Sequence, residues 1–393
     1  MNVRGFSFNG IEAGIKKKGG KDLGLIFSRV PAVSSGVFTR NWVKAAPLVL
    51  TQQRLQKRCC QAVLVNSGKA NACTGAQGLI DAQTLADETA RLLGIPAELT
   101  AVASTGVIGE PLPVETIAGR LPFLCNSLNG GTIEDFAQAI MTTDTVPKIA
   151  TRHGIIGGKR VNIAGVAKGA GMINPSLATM LVFLVTDASI KPQSIQSILT
   201  EGADRSFNRI TIDGDTSTND TVLLLANGMA GNQPLARKDL NAAGFTDMLF
   251  SVMEELAQSI LKDGEGVTKV ITIAVQKARS QAEAEAIGRS IAHSPLVKTA
   301  FFGEELNWGR IVAAAGKTVF PVAFERMDLL LNGIFLVRQG TLLSREQEAE
   351  AQRELKKAHL TITLVLNQGR HQAVVFTTDL SPQYVHINAG YKS

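Results

Sequence analysis

The sequence has few aromatic residues and no dense basic tract. It contains only two Trp and two Tyr among 393 residues, and its longest basic run is Lys16-Lys17-Lys18. The net charge of +6 is therefore spread thinly over the chain. Nucleic-acid binding typically needs a clustered basic surface, often with aromatic side chains on which bases stack. We therefore expect no nucleic-acid partner, whereas a mild positive field suits a small anionic substrate.

Paired cysteines and histidine motifs are missing as well. The four cysteines, at positions 59, 60, 73 and 125, include no C-x-x-C spacing. This pattern predicts neither a zinc site nor a redox pair, and it is typical of reduced thiols in a cytoplasmic protein. None of the five histidines lies in a G-x-S-x-G or H-E-x-x-H motif. We therefore expect no bound metal and no histidine-activated nucleophile.

No apolar run is long enough to cross a bilayer. Runs such as Leu181–Val185 are far shorter than the roughly 20 residues that a membrane helix needs. The first ten residues, MNVRGFSFNG, lack the apolar centre of a secretory signal. Apolar residues make up 45% of the chain and charged residues 19%, which is typical of a folded enzyme. We expect no membrane association and a cytoplasmic location.

Strand patterns and helix patterns alternate along the chain. The predicted strands lie at 62–66, 180–187, 221–226, 268–276, 328–337, 360–366 and 383–388. The predicted helices lie at 80–94, 132–141, 191–207, 246–262, 280–292 and 344–358. Such a mixture predicts sheets covered by helices. The length favours two domains, and the change in character after Gly264-Glu265-Gly266 places the boundary near residue 275.

Residues 168–187, KGAGMINPSLATMLVFLVTD, lead from a glycine-rich loop into an apolar strand. Thr179 stands at the junction. One interpretation is structural, because β-branched residues often open strands. The other is chemical: cleavage after the small residue Ala178 would free the α-amine of Thr179, whose ordinary pKa is near 8, beside its own hydroxyl. That amine would act as the base for the Thr179 nucleophile. From this segment alone, both interpretations stand.

Three further segments have polar or backbone groups that suit such a site. Lys168 is placed to hold a substrate carboxylate and to keep the amine neutral by repulsion. Thr105 and Gly106, in ASTGVIG, are placed to face a developing oxyanion. Glu265, in DGEGVT, is placed to bind a substrate ammonium. Each also has a structural interpretation, as a turn or an exposed loop acid. The segment DGDTSTND at 213–220 lacks the sixth-position glycine of a calcium loop, so it predicts Asx and Ser/Thr turns.

Taken together, the segments resemble the ArgJ family. This family comprises the glutamate N-acetyltransferases, or ornithine acetyltransferases, of the cyclic arginine pathway. The resemblance spans essentially the whole chain. It is carried by AGIKKKGGKDLGLI, NSGKANACTG, ASTGVIG, MTTDTVPK, KGAGMINPSLATML, DGDTSTND, KDGEGVTK, SPLVKTAFFGEELNWGRI and YVHINAGYKS.

The resemblance implies that the chain cuts itself between Ala178 and Thr179. The products are an α-chain, 1–178, and a β-chain, 179–393, which assemble into a heterotetramer or a larger oligomer. Thr179 takes acetyl from N-acetylornithine and passes it to glutamate, and the family's oxyanion hole maps onto Thr105 and Gly106. The substrate-binding set that the resemblance implies is Thr142, Lys168, Thr179, Glu265, Asn388 and Ser393.

The resemblance also implies a fold and a reaction without a cofactor. The fold is a DmpA/ArgJ-like αββα sandwich, assigned to 1–275, with a smaller C-terminal α/β domain at 276–393. Whether acetyl-CoA serves as a second acetyl donor is left open. Two other functions remain as alternatives. One is an N-terminal-nucleophile aminopeptidase or amidase on the same scaffold, which passes the acyl group to water. The other is an uncut small-molecule binding protein.

Overall fold

The computed structural model describes residues 3–174, 180–342 and 344–390. Its residues divide into two compact units, one within 3–208 and 215–260 and the other comprising 209–214 and the described residues from 261 onward. The boundary predicted near residue 275 falls inside a strand of the second unit, Val270–Ala278, which has a partner strand on each side. The chain passes from the first unit to the second near residue 260 instead.

The described part of the first unit contains one sheet of eight strands and seven α-helices. The strands are β1 Phe6–Ile11, β2 Leu23–Phe38, β3 Cys59–Lys69, β4 Thr100–Val107, β5 Lys148–Ile156, β6 Lys159–Lys168, β7 Leu181–Thr186 and β8 Thr221–Ala226. The helices are α1 Ala46–Arg54, α2 Gly75–Leu93, α3 Val114–Asn126, α4 Ile133–Ile140, α5 Pro192–Arg205, α6 Arg237–Ala242 and α7 Phe245–Lys262. The strand order is β4-β3-β2-β8-β7-β6-β5, with β1 also on β2.

Strand β2 belongs to both halves of this sheet. Residues 23–28 pair with β1, and residues 33–38 pair with β8. The register against β3 shifts between Phe27 and Ala32, where the strand is irregular. Such irregularities bend a strand and increase its twist. The eight strands therefore form two half-sheets that share one continuous strand.

The two half-sheets face each other across a common core. Phe136 of α4 lies between them, with ring centroids 6.1 Å from Phe8 of β1 and 5.4 Å from Phe183 of β7. Buried residues of both halves belong to this cluster, including Ile26, Val63, Val65, Val166, Leu181, Val185, Leu223 and Leu225. Burial of such side chains stabilises the fold by about 1.5–3 kcal/mol each. The strands therefore form the two inner layers of a sandwich.

Helices cover both outer faces of the sandwich. Leu85 of α2 and Leu121 of α3 pack with Leu64 of β3 in one outer cluster. On the other side, α7 lies close to β6: a Cβ added at Gly165 would lie 2.7 Å from a methyl group of Leu256. The layers are therefore helix, sheet, sheet and helix, which confirms the predicted αββα fold.

The second unit contains a six-stranded sheet in the order β12-β11-β10-β13-β9-β14. Its strands are β9 Val270–Ala278, β10 Asp328–Leu331, β11 Ile334–Arg338, β12 Thr341–Leu342, β13 His359–Val365 and β14 His371–Thr378. Its helices are α8 Gln281–Ala292, α9 Pro295–Phe302, α10 Trp308–Gly316, α11 Arg345–Glu354 and α12 Pro382–Gly390. Apolar side chains of α8, α9 and α10 pack with those of β9, β10 and β13 in one core.

Most predicted elements are present. The predicted helices correspond to α2, α4, α5, α7, α8 and α11, and all predicted strands but the last correspond to β3, β7, β8, β9, β10 with β11, and β13. The predicted cap of α4 is confirmed, because Asp135 N–H donates to the Thr132 hydroxyl at 3.1 Å and Asp135 accepts from Thr132 N–H at 2.9 Å. Among the described helices, none combines the length and the apolar character needed to cross a bilayer.

The strand predicted at 383–388 is wrong, since these residues lie in helix α12. Their apolar and polar residues alternate, but no residue of this helix is buried, and Val385 is 62% exposed. Alternation selects a strand only where one face is covered. The local signals instead start a helix: Pro382 is its first residue, and the Ser381 hydroxyl accepts from Tyr384 N–H at 3.4 Å.

Candidate active site

Three neighbouring strands of the first unit place the end of β6 beside the beginnings of β7 and β8. Lys168, the last residue of β6, pairs with Leu181, the first of β7. Leu181 in turn pairs with Thr221, the first residue of β8. Thr179, the predicted nucleophile, and Ala178 precede this row in the sequence and lie outside the described residues. The row therefore marks where the predicted cleavage segment joins the sheet.

Lys168 connects three of the residues that the resemblance implicates. Its ammonium donates to the Thr142 hydroxyl at 2.8 Å and to the Thr105 hydroxyl at 3.3 Å. The lysine is only 3% exposed, although it carries a charge. Thr105 lies on β4 and Thr142 follows α4, so the cluster joins elements from separate parts of the chain. The structure thus brings Thr105, Thr142 and Lys168 together.

A buried carboxylate, Asp144, supports this lysine. Its Oδ1 accepts from Lys148 Nζ at 2.7 Å and from Gly169 N–H at 2.7 Å, and its Oδ2 accepts from Thr142 N–H at 3.0 Å. Burial alone would raise the pKa of Asp144, but the charges of Lys168 and Lys148 and these hydrogen bonds lower it to about 2. Asp144 is therefore ionised at neutral pH, and its charge makes two buried ammonium groups tolerable.

Gly106 lies where β4 runs close beside β3. It pairs with Gly68 and has a φ of +124°. A Cβ at Gly106 would come within 2.4 Å of the Gly68 carbonyl carbon. The position therefore requires glycine on both steric and conformational grounds. The oxyanion-hole role of Gly106 and Thr105 stays a prediction.

The segment before β8 contacts both sides of this region. The Asn219 side-chain amide donates to the carbonyl oxygens of Ala70 at 2.7 Å and Ser104 at 2.8 Å. The next residue, Asp220, accepts from Met180 N–H at 3.0 Å. Asn219 thus holds the strand that carries Thr105. Asp220, the next residue, holds Met180, the first described residue after the predicted cleavage site.

Two further predicted residues meet in the second unit. Asn388 of α12 donates from Nδ2 to Glu265 Oε2 at 2.7 Å and to the Tyr384 carbonyl at 3.0 Å. Tyr384 also donates its hydroxyl proton to Asp213 Oδ2 at 3.2 Å. Glu265 is buried, so its carboxylate is not the exposed loop acid of the structural interpretation. Ser393 lies outside the described residues.

Sequence reasoning assigned no role to Asp144, Lys148, Asn219 or Asp220. MTTDTVPK contains the first pair and DGDTSTND the second, but both segments resemble ordinary polar loops. The turn prediction for DGDTSTND holds locally, because Asn219 N–H bonds the Ser217 hydroxyl at 3.0 Å. The only signal for burial was the acid at position 144 four residues before a lysine, a spacing that is also common on surfaces.

Comparison with known proteins finds relatives over the whole length of the chain. The sequence profile of the ArgJ family matches residues 7–393. The "Arginine biosynthesis bifunctional protein ArgJ" of Geobacter sulfurreducens is 47% identical over 393 residues, which is 100% of both chains. The protein of the same name from Desulfotalea psychrophila is 46% identical, again over 100% of both.

Solved structures with this family name also match part of the chain. A crystal structure of an ArgJ protein from Bacillus halodurans is 46% identical and covers 44% of this chain and 91% of that one, with a TM-score of 0.41. An ornithine acetyltransferase from Mycobacterium tuberculosis, crystallised with ornithine, is 40% identical and covers 45% of this chain and 94% of that one, with a TM-score of 0.40. The full-length sequence matches decide the assignment: the chain belongs to the ArgJ family of arginine-biosynthesis enzymes.

Proposed function

We propose that this chain moves an acetyl group from N-acetylornithine to glutamate through an acetyl-enzyme on Thr179. The observation that carries the proposal is the buried cluster of Lys168 with the hydroxyls of Thr105 and Thr142, set across from the first residue of β7. A buried ammonium surrounded by hydroxyls is suited to an anionic substrate. Because the chain belongs to the ArgJ family, we assign this cluster to acetyl transfer.

In the first half-reaction, the Thr179 hydroxyl attacks the acetyl carbon of N-acetylornithine. Its proton passes to the α-amine of Thr179, which self-cleavage after Ala178 has freed. The Thr105 hydroxyl and Gly106 N–H stabilise the oxyanion of the tetrahedral intermediate. The carbon–nitrogen bond then breaks, the amine returns the proton to the leaving nitrogen, and ornithine departs.

The second half-reaction runs the same steps in reverse with glutamate as the acceptor. Both amino acids have an α-carboxylate beside the reacting nitrogen, so one cation serves both halves. We assign that cation to Lys168, with Thr142 beside it. Glu265, with Asn388 and Ser393, is assigned to the remaining substrate contacts, and Glu265 suits the side-chain ammonium of ornithine.

The remaining expectations stay proposals. One residue supplies both nucleophile and base, so we propose that the reaction uses no metal or redox cofactor. We propose that the α- and β-chains assemble into a heterotetramer or a larger oligomer, as the resemblance implies. We also propose a cytoplasmic location, which is supported by four free cysteines.

The first test is intact mass spectrometry under denaturing conditions. The wild type should give chains of 178 and 215 residues, with the second beginning at Thr179. Thr179→Ala should remain one chain, and Thr179→Ser, which keeps a hydroxyl, should still be cut. A wild-type protein that stays uncut would contradict the mechanism.

The second test separates transfer from hydrolysis. Release of ornithine from N-acetylornithine is followed with and without glutamate. Transfer predicts much faster release with glutamate and formation of N-acetylglutamate. Equal rates without glutamate would assign the chain to the aminopeptidase or amidase alternative. Replacing N-acetylornithine by acetyl-CoA in the same assay decides whether acetyl-CoA is a donor.

A further inference from the structure

Lys16 belongs to the basic run Lys16-Lys17-Lys18, but its surroundings differ from those of the other two lysines. Lys17 and Lys18 are exposed, whereas Lys16 is partly buried. It lies in the first unit, in the loop between β1 and β2. A partly buried ammonium loses some of its hydration, so it is stabilised by an anion more than an exposed one is.

The loop that carries Lys16 is held in place by one buried carboxylate. Asp22 directly precedes β2 and is 0% exposed. Its Oδ1 accepts from Ala13 N–H at 2.6 Å, and its Oδ2 accepts from Ile15 N–H at 2.6 Å and from Lys16 N–H at 3.0 Å. The backbone of Lys16 is therefore preorganised, and binding a ligand through its side chain costs little further backbone order.

The aliphatic stem of Lys16 lies against the strand pair that carries Thr105. A Cβ added at Gly68 would lie 3.2 Å from Lys16 Cγ. Gly68 of β3 pairs with Gly106 of β4, the residue after Thr105. Gly68 also has a φ of +101°, so this position favours glycine and leaves room for the lysine stem. Lys16 is thus placed beside the strands of the proposed oxyanion hole.

The ammonium of Lys16 has one hydrogen-bond partner in the part of the chain that the structure describes. It donates to the Lys21 carbonyl oxygen at 2.7 Å, so two of its three hydrogens are available to a ligand. Burial lowers the pKa of Lys16, Asp22 and Asp144 raise it, and Lys168 lowers it. Neither of these carboxylates forms an ion pair with Lys16, because both already accept hydrogen bonds from other groups.

The two substrates of the proposed reaction require different partners. N-acetylornithine and glutamate share the α-carboxylate that is assigned to Lys168. At the other end, ornithine has an ammonium and glutamate has a second carboxylate. Glu265, which is assigned to the ammonium, would repel that carboxylate. The acceptor therefore needs a second cation that the donor does not need.

We propose that Lys16 binds the side-chain carboxylate of the acceptor glutamate, so that each carboxylate of glutamate has its own lysine. The inference rests on the proposed function, because it names the residue that selects the acceptor. Lys16 and Lys168 lie in the same unit and within electrostatic reach of each other. The short carbon chain between the two carboxylates of glutamate requires such a spacing.

The test compares two acceptors in the wild type and in two variants. Glutamine has nearly the shape of glutamate but no side-chain charge. Values of kcat/KM for glutamate and for glutamine are measured with N-acetylornithine as the donor, in wild type, Lys16→Met and Lys18→Met. Lys18→Met is the matched control, because it removes the same charge from the same basic run at an exposed position.

We expect Lys16→Met to lose about tenfold to a hundredfold in kcat/KM for glutamate and to change little for glutamine. Its KM for N-acetylornithine should stay near the wild-type value, since the donor has no side-chain carboxylate. Lys16→Arg keeps the charge and should retain most of the preference for glutamate. Lys18→Met should behave as the wild type with both acceptors.

An unchanged preference for glutamate over glutamine in Lys16→Met would overturn the inference. Equal losses with glutamate, glutamine and N-acetylornithine would also overturn it, because they would mean that Lys16 only supports its loop through the Lys21 carbonyl. Lys16→Gln keeps a donor for that carbonyl and replaces Lys16→Met in the same comparison if the latter does not fold.

Calorimetric titration with glutamate separates this inference from the proposed function. Weaker glutamate binding by Lys16→Met, in a protein whose wild type transfers no acetyl, would refute the proposed function and still support Lys16 as a carboxylate site. Equal glutamate binding by wild type and Lys16→Met would overturn the inference, whether or not acetyl is transferred.

Discussion

Asp144 and Asp220 are both buried carboxyl groups near Lys168, yet their acidities are shifted in opposite directions. Asp144 has its pKa lowered to about 2, whereas the pKa of Asp220 is raised well above its ordinary value. Burial acts in the same direction on both. The difference comes from the neighbours: Asp144 contacts Lys148 and two backbone N–H groups, while Met180 N–H, the Thr39 hydroxyl and the charge of Lys168 do not offset the burial of Asp220.

The comparison shows that the neighbours of a buried carboxyl group near Lys168 decide whether its pKa is raised or lowered. On the Asp144 side, the carboxylate already has Lys148 and two backbone N–H groups as partners, so this side is a permanent support. On the Asp220 side, burial outweighs the charge of Lys168 and the hydrogen bonds from Met180 N–H and the Thr39 hydroxyl, so the pKa of this carboxyl group stays raised. The predictions below test that contrast, from the largest expected effect to the smallest.

Replacing Lys168 by Met should disturb both carboxyl groups at once. The variant keeps much of the side-chain volume but removes the ammonium that contacts Thr105 and Thr142. We expect acetyl transfer to fall by about 10²- to 10³-fold, with a raised KM for both N-acetylornithine and glutamate. Steady-state kinetics with each substrate varied measures this. Normal KM values in a folded Lys168→Met variant would remove Lys168 from substrate binding.

Removing the carboxylate of Asp144 should strongly destabilise the first unit. In Asp144→Ala, two buried ammonium groups, those of Lys148 and Lys168, lose the anion between them. We expect the free energy of unfolding to fall by about 3–5 kcal/mol, measured by urea denaturation. Glu88→Gln is a suitable control, because Glu88 pairs with Arg91 on the surface and should change stability little. Similar effects of the two changes would contradict the permanent-support interpretation.

The same contrast should appear in the pH dependence of stability. A carboxyl group whose folded-state pKa lies below its unfolded value stabilises the protein above the unfolded pKa, near 4. This contribution is lost as the pH falls through the folded-state pKa of about 2. For Asp144 the loss between pH 4 and pH 2 should be about 2 kcal/mol. Denaturant titrations at several pH values should show this component in the wild type and not in Asp144→Asn.

Asp220→Asn should have the smallest effect on stability, and of opposite sign. A carboxyl group with a raised folded-state pKa costs stability once the pH exceeds its unfolded value, because the unfolded chain ionises more readily. We expect Asp220→Asn to gain about 1 kcal/mol at pH 8 and little or nothing at pH 3. Thermal unfolding at both pH values checks this. A loss of stability at pH 8 would show that the carboxylate already has a compensating partner.

Periodicity predicted many elements but failed where local pattern and burial disagree. Helix α7 was predicted within one residue because its apolar side chains repeat on one face. Strand β2 was missed because Pro31 and a polar stretch interrupt its pattern. The structure resolves this conflict: Pro31 lies at the register shift, where pairing with β3 is interrupted, so its missing N–H breaks no ladder hydrogen bond to that strand.

The site was only partly accessible to sequence reasoning. The resemblance identified Thr105, Thr142 and Lys168, and the structure brings them together. No local pattern could indicate that Asp220 bonds Met180, forty residues earlier, or that Asn219 bonds Ser104, 115 residues earlier. Such contacts depend on strand order, and DGDTSTND is polar enough to be interpreted as an exposed turn. Burial of a polar segment becomes visible only once its distant partners are known.

Strands β7 and β8 follow residue 178 in the sequence, yet they lie between β2 and β6, which precede it. The two products of a cut at Ala178–Thr179 would therefore pair with each other along two ladders, β2 with β8 and β6 with β7. Dilution alone would not separate the two products, because separation requires breaking the hydrogen bonds between the central strands of the sheet. Isolated pieces would also expose unpaired strand edges that favour aggregation.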